Sequence, residues 1–109
     1  MFYKTKAWKN LRASVLRRDG YKSRLSARYG KNIPADTVHH ILPLEMFPEY
    51  KLKAWNLISL TREEHNRLHD RDRHTLTAEG IDLARRTAVR KGLDIPYIMS
   101  RLEVTDEES

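Results

Sequence analysis

Apolar positions near the start of the chain recur with a helical period. Between residues 6 and 18, Trp8, Leu11, Val15 and Leu16 follow three- and four-residue spacing, which predicts an amphipathic helix with one buried face. Gly20 follows this pattern, and glycine is the residue most often found just past the end of a helix. The pattern therefore predicts a first helix over residues 6–18.

A similar pattern towards the other end predicts a second long helix, over residues 77–91. Thr77 suits the N-cap, and Gly92 and Pro96 follow the last turn. The side chains expected to pack on one face are Ile81, Ala84, Ala88 and Val89. Residues 105–109 are polar, and we expect them to form a disordered acidic tail.

Two short apolar runs in the middle of the chain have the composition of strands. Residues 37–42 are rich in β-branched and apolar side chains and end at Pro43, and residues 55–60 form a second such run. Thr61 then begins a helix, with Glu64 three residues later as in a capping box. This helix is expected to carry His65, Asn66, Leu68, His69 and Asp70.

Length and composition limit the kinds of protein that the chain can be. Its 109 residues fit one domain, and it contains no cysteine, which excludes disulfides and thiolate metal sites. Any metal must therefore bind His, Asp, Glu or Asn. The sequence has no apolar run long enough for a membrane span and no apolar leader, so we expect a cytoplasmic protein without a membrane partner.

The positive charge is concentrated in the first third of the chain. The net charge is +6, and residues 1–31 hold ten Lys and Arg against one acid, Asp19. A surface of this kind attracts phosphate backbones, because binding releases their condensed counterions. A solubilising surface would look much the same, so charge alone leaves nucleic acid as one of two interpretations.

Four of the five histidines form two close pairs. His39 and His40 are adjacent on a predicted strand, so their side chains should point to opposite faces. His65 and His69 are four residues apart on a predicted helix, which places them on one face. A strand–loop–strand–helix order can bring the helical pair against one strand histidine. Such pairs also arise by chance, as ordinary surface or core residues, so spacing alone does not establish a metal site.

The order and spacing of these residues resemble the HNH endonuclease signature. The matching segments are residues 38–43 (VHHILP), 55–60 (WNLISL) and 64–69 (EHNRLH), and the lead-in helix resembles that of phage and bacterial members. The resemblance covers residues 8–69. It implies an α+β fold with a small ββα-metal module, formed by a two-stranded antiparallel hairpin and flanking helices. The expected division is a nuclease module at 1–76, a helical extension at 77–104 packed on the same domain, and the tail.

The resemblance also implies a role for each residue of the site. His40 is the expected general base, and Asn56 is expected to hold the preceding loop and so orient His40. His39, where many relatives have Asp, would bind one divalent ion together with His65 and His69. Asn66 and Asp70 would support the ligands by hydrogen bonding.

The activity implied is metal-dependent cleavage of double-stranded DNA, leaving 5′-phosphate and 3′-hydroxyl ends, by nicking or with weak sequence specificity. Mn²⁺ or Mg²⁺ is expected to support cleavage, and Zn²⁺ or Ni²⁺ to bind with less activity. The expected backbone contacts are Arg12, Arg17, Arg18, Lys22, Arg24 and Arg28. Small HNH proteins occur in phages, where phage packaging proteins are candidate partners, and in restriction or mobile-element systems. The sequence specifies neither the setting nor the oligomeric state.

One departure from the family pattern concerns a structural zinc. Many HNH proteins bind this ion with two Cys-x-x-Cys pairs, and the matching positions here are Ser23, Ser26, Thr61 and Glu64. We therefore expect the module to be held by packing, with Trp8, Trp55, Phe47 and Tyr50 as contributors. A non-catalytic metal- or DNA-binding module and an RNA-acting nuclease of the same fold are the alternatives.

Overall fold

The computed structural model describes residues 1–107. The chain divides into two compact units, Met1–His65 and Asn66–Ser109. The first unit begins with helix α1 (Lys6–Arg18), which confirms the predicted helix. Thr5 caps it, because its hydroxyl oxygen accepts from the Trp8 backbone N–H at 3.2 Å. Trp8 and Val15 lie on its buried face and form an apolar cluster with Leu57.

After α1 the chain makes a turn and a short helix that the sequence pattern did not predict. Gly20 and Tyr21 have φ angles of +65° and +59°, so the chain reverses through left-handed backbone. Helix α2 (Arg24–Ala27) follows, capped by the side chain of Ser23. An antiparallel bridge between Lys22 and Pro34 then closes this segment at its base.

The predicted hairpin is present, with shorter strands than expected. Strand β1 (Thr37–His40) pairs antiparallel with β2 (Leu57–Leu60), with His39 opposite Ile58 and His40 opposite Leu57. Residues 41–42 and 55–56, expected in the strands, lie outside them. One backbone bond continues past the strands, from the Ile41 N–H to the Asn56 carbonyl at 2.8 Å. At Leu42 the Asn56 side chain then binds both the backbone N–H and the carbonyl, in place of a partner strand.

Helix α3 (Arg62–Leu68) begins in the first unit and ends in the second, one residue before His69. The expectation that His69 and Asp70 belong to this helix is therefore wrong. They form strand β3 (His69–Asp70), which pairs antiparallel with β4 (Thr75–Leu76). The Leu68 carbonyl accepts from the Thr77 backbone N–H at 2.9 Å, which fixes the chain as it leaves the helix.

Helix α4 (Ala78–Lys91) confirms the second predicted helix, with Thr77 as its cap and Gly92 in the left-handed conformation after it. Its buried residues are Gly80, Leu83, Ala84, Thr87 and Ala88. Val89 was wrongly expected among them, since it is 59% exposed. It lies about 100° around the helix from Ala88, outside the 3.6-residue stripe.

Helix α5 (Ile95–Glu107) contributes the buried side chains Ile98 and Leu102 to the second unit, where it contacts α4 and β4. Residues 105–107 of the tail predicted to be disordered belong to helix α5, and residues 108 and 109 lie outside the described residues. Over residues 1–107, none of the helices combines the length and hydropathy required to cross a bilayer. The α+β fold with a two-stranded antiparallel hairpin is confirmed.

Candidate active site

The hairpin directs its two histidines to opposite sides, as expected for neighbours on a strand. His39 is buried, and its ring centroid lies 5.2 Å from that of His65 on α3. His40 turns the other way and stacks on Trp8, with centroids 5.0 Å apart and planes inclined by 19°. The structure therefore brings His39 to helix α3 and leaves His40 outside that group.

The start of α3 positions His65 through the predicted capping box. The Glu64 backbone N–H donates to the Thr61 hydroxyl oxygen at 3.1 Å, and the Thr61 backbone N–H donates to the Glu64 carboxylate at 2.9 Å. These reciprocal bonds satisfy two donors that a helix leaves open at its start. They hold the first turn of α3, from which the side chain of the next residue, His65, projects.

Three histidines, from β1, α3 and the residue that follows α3, form a group that could hold a metal ion. His39, His65 and His69 each offer one ring nitrogen, and these nitrogens lie within 4.8 Å of one another. Imidazole nitrogens are suitable ligands for divalent transition ions when they are neutral. Burial and the nearby Arg71 charge lower the pKa of His69, which favours the neutral form.

His40 is held in one tautomer by the backbone. Its Nε2 lies 3.0 Å from the Lys51 carbonyl oxygen. Since a carbonyl can only accept, Nε2 carries the proton and Nδ1 of the neutral ring is the acceptor. Burial lowers the pKa of His40, and the bond to Lys51 opposes this only in part. His40 is therefore mostly neutral near pH 7, with a nitrogen able to take up a proton.

Asn56 closes the loop between the two strands, as the sequence predicted. The Leu42 backbone N–H donates to its Oδ1 at 2.7 Å, and its Nδ2 donates to the carbonyls of Leu42 and Tyr50 at 3.1 and 3.2 Å. The loop so held contains Lys51, whose carbonyl oxygen lies 3.0 Å from Nε2 of His40. Phe47 is fully buried and stacks on Tyr50, so apolar packing also stabilises this loop.

The four positions that match the zinc cysteines of relatives converge on one buried carboxylate. Ser23 and Ser26 donate their hydroxyls to the two oxygens of Glu64, each at 2.5 Å, and the Thr61 N–H is the third donor. Burial alone would raise the pKa of Glu64, but these bonds outweigh it and the pKa is lowered. The sequence indicated Glu64 as a capping residue and as one of the four positions that match the zinc cysteines, but not as the acceptor for the two serines.

Asp19 is a second buried carboxylate that the sequence did not single out. Arg18 donates to both of its oxygens at 2.8 and 3.0 Å, Arg24 donates at 3.1 Å, and the Ser59 backbone N–H donates at 3.0 Å. Arg18 also donates to the carbonyls of Ala54 and Leu57. Two of the arginines expected to contact DNA therefore also tie α1 and α2 to the hairpin.

The other residues predicted for the site lie in varied surroundings. Arg12 donates to the Asp36 carbonyl at 3.0 Å, while Arg17 is exposed on α1 and Lys22 and Arg28 belong to the segment after it. In the second unit, Asn66 accepts from Arg71 at 3.0 Å, and Asp70 accepts from the Arg73 backbone N–H at 3.2 Å. The Asp70 contact lies within the β3–β4 hairpin, and the Asn66 contact joins α3 to that hairpin.

Comparison with solved structures identifies a similar protein. The chain is similar to the crystal structure of the HNH endonuclease of the deep-sea thermophilic bacteriophage GVE2 with manganese ion, at 35% sequence identity and a TM-score of 0.59. The match covers 61% of this chain and 72% of that chain. This chain belongs to the HNH endonuclease family. No family model and no curated protein matches it.

Membership in the HNH family confirms the resemblance seen in the sequence and makes the protein an endonuclease, a phosphodiester hydrolase. The similar phage enzyme was crystallised with manganese, and this chain has a group of three histidines that could hold a metal ion. Strand β1 of the hairpin carries His39 and His40, α3 carries His65, and His69 follows in β3.

Proposed function

We propose that this HNH protein is a metal-dependent DNA endonuclease that hydrolyses phosphodiester bonds to 5′-phosphate and 3′-hydroxyl ends, by nicking or with weak sequence specificity. The observation that carries the proposal is that two adjacent histidines of one strand lie in different environments. His39 joins a group of ring nitrogens suited to an ion, and His40 is a neutral imidazole fixed in one tautomer.

In this proposal His39, His65 and His69 hold one divalent ion. Their donor set fits, because three imidazole nitrogens lie within 4.8 Å of one another. When bound, the ion offsets negative charge on the phosphate in the transition state. Mn²⁺ or Mg²⁺ supports cleavage, whereas Zn²⁺ and Ni²⁺ bind an all-imidazole set more tightly with less turnover.

His40 acts as the general base, taking a proton from the attacking water on Nδ1. The Lys51 carbonyl keeps the proton of the resting ring on Nε2, and burial keeps the pKa below that of an ordinary histidine. Asn56 acts on His40 indirectly, by holding the loop that contains Lys51. Asn66 and Asp70 support the region that carries His69 through their contacts with Arg71 and Arg73.

The substrate is double-stranded DNA, bound through the basic first third of the chain. Residues 1–31 hold ten Lys and Arg against one acid. Phosphates are contacted mainly by Arg17, Lys22 and Arg28. The DNA backbone is also contacted by Arg12, Arg18 and Arg24, whose side chains form hydrogen bonds within the protein as well. Such contacts position DNA and carry little sequence information, which accounts for weak specificity.

The test is cleavage of supercoiled plasmid by wild type and by His40→Ala, each with Mn²⁺, Mg²⁺, Ni²⁺, Zn²⁺ or EDTA. We expect wild type to nick the plasmid with Mn²⁺ or Mg²⁺, and the variant to lose activity by about a thousandfold, as for removal of a general base. His74→Ala is the matched control, since His74 is exposed in the β3–β4 turn and outside the histidine group.

Metal binding is measured separately, as the rise in melting temperature with Ni²⁺ or Zn²⁺. We expect His65→Ala to remove this rise and His40→Ala to keep it. Cleavage that survives His40→Ala would overturn the assignment of the base. A metal-dependent rise without DNA cleavage by wild type would overturn the DNase activity and leave an RNA substrate to be tested with the same panel.

A further inference from the structure

We propose that residues 20–35, here called the basic loop, bind unpaired nucleotides, with Tyr29 stacking on a base and the neighbouring cations contacting phosphates. The inference rests on the proposed function and deepens it, because it assigns the enzyme a preference for DNA that is locally opened or distorted. The proposal stands on the exposure, charge and anchoring of this loop.

The basic loop is a closed projection of the first unit. Its base is joined by backbone bonds from Ser23 to the Ile33 carbonyl at 2.8 Å and from Ala35 to the Tyr21 carbonyl at 2.9 Å. Near its tip, the backbone N–H groups of Tyr29 and Gly30 donate to the Ser26 and Ala27 carbonyls, both at 3.0 Å. The side chain of Tyr29 is thus carried on an ordered turn.

Two aromatic side chains on this loop are exposed to solvent. Tyr29 is 77% exposed and Tyr21 is 55% exposed. Exposed aromatic rings do not stabilise the fold through burial, but they offer flat faces on which any base can stack. Tyrosine rings beside a cationic track are the combination by which proteins hold single strands without reading their sequence.

The charges of the loop select a nucleic acid over a protein partner. Residues 20–35 include four Lys or Arg and no Asp or Glu, and Arg28 and Lys31 lie on either side of Tyr29 along the chain. A protein-binding patch would be centred on apolar side chains with few charges. Alternation of cations with an exposed ring instead fits a phosphate backbone with a base beside it.

Glu64 links the loop to the candidate active site. Its carboxylate accepts from Ser23 and Ser26 at the beginning of the loop, and the residue after it along the chain is His65. Ser23 is fully buried and Ser26 is half-buried. The loop therefore has a fixed attachment beside the residue that the nuclease proposal assigns to the metal.

The experiment measures binding in EDTA, without cleavage, by fluorescence anisotropy at one salt concentration. The two probes are a short, fully paired DNA duplex and the same duplex with a central stretch of mismatched bases. We expect wild type to bind the mismatched probe more tightly. Tyr29→Ala should weaken that binding about tenfold and change duplex binding less than about twofold, and Tyr29→Phe should restore wild-type behaviour. Tyr97→Ala, at an exposed tyrosine of the second unit, is the matched control.

Equal binding of both probes by wild type, or an equal loss on both probes in Tyr29→Ala, would overturn the proposal. So would a Tyr97→Ala variant that behaves like Tyr29→Ala. An unchanged melting temperature in Tyr29→Ala is expected, since the ring is exposed, and excludes unfolding as the cause. Because the readout contains no metal, the loop can fail this test while the plasmid assay still supports the nuclease, and the reverse.

Discussion

The two units of the chain bury different kinds of side chain. Among the described residues, Met1–His65 buries seven polar or charged residues, whereas Asn66–Ser109 buries two threonines. The interior of the second unit consists mainly of leucine, isoleucine and alanine from β4, α4 and α5. The first unit thus combines a small apolar cluster with several buried polar groups, and the second is held chiefly by apolar packing.

Three side chains of the first unit explain this difference. Asp19, Asn56 and Glu64 are each bonded to several groups that are distant along the chain. Hydrogen bonds fix direction as well as distance, whereas apolar contacts tolerate changes of shape if volume is kept. A site that must place imidazole nitrogens accurately benefits from such directional bonds.

The largest expected loss of stability follows removal of Asn56. Asn56→Ala leaves the backbone of Leu42 and the carbonyl of Tyr50 without their buried partner, which should lower the free energy of unfolding by about 4 kcal/mol. Urea denaturation measures this loss. Asn56→Asp keeps the acceptor for the Leu42 N–H but cannot donate, and should lose less. A loss of under about 1 kcal/mol in Asn56→Ala would show that the loop does not depend on this side chain.

A cavity in the second unit should cost slightly less and should not depend on pH. Ile98 is fully buried, so Ile98→Ala should lower the unfolding free energy by about 3 kcal/mol, and Ile98→Val by about 1 kcal/mol. Urea denaturation at neutral and at acidic pH checks both values. A loss in Ile98→Ala that changes strongly with pH would contradict the view that apolar packing dominates here.

A smaller, pH-dependent loss is expected at Asp19. Burial alone would raise the pKa of Asp19, but bonds from Arg18 and Ser59 lower it below that of the unfolded chain. The carboxylate therefore stabilises the fold above pH 4, and this contribution is lost as pH falls through the lowered pKa. Asp19→Asn should lose about 2 kcal/mol at pH 7 in urea denaturation.

The gap between wild type and Asp19→Asn should close as pH falls below about 4. The matched control is Asp82→Asn, because Asp82 forms an exposed pair with Arg86 at 2.9 Å in the second unit. Its loss should be about 0.5 kcal/mol or less at any pH. A gap for Asp19→Asn that stays constant down to pH 3 would refute the ionic contribution.

Patterns of local sequence predicted most of the elements. Residues 6–18 and 78–91 are helical, and the Thr61–Glu64 capping box is present. Errors arose where a distant residue intervened. The Asn56 side chain binds the backbone of Leu42, which lies outside β1, and His69 pairs with Leu76 in a strand. The local periodicity of a segment does not predict such partners, because they come from other parts of the chain.

The sequence by itself determined the family, the two histidine pairs and the positive charge of the first third, since each is written in residue type and spacing. Tertiary structure decided which polar groups meet. Ser23 and Glu64 are 41 residues apart, and the Ser59 N–H finds Asp19 across 40. Local periodicity reports which face of an element is buried, but the partner of a buried charge depends on how the elements pack, and only the folded chain shows it.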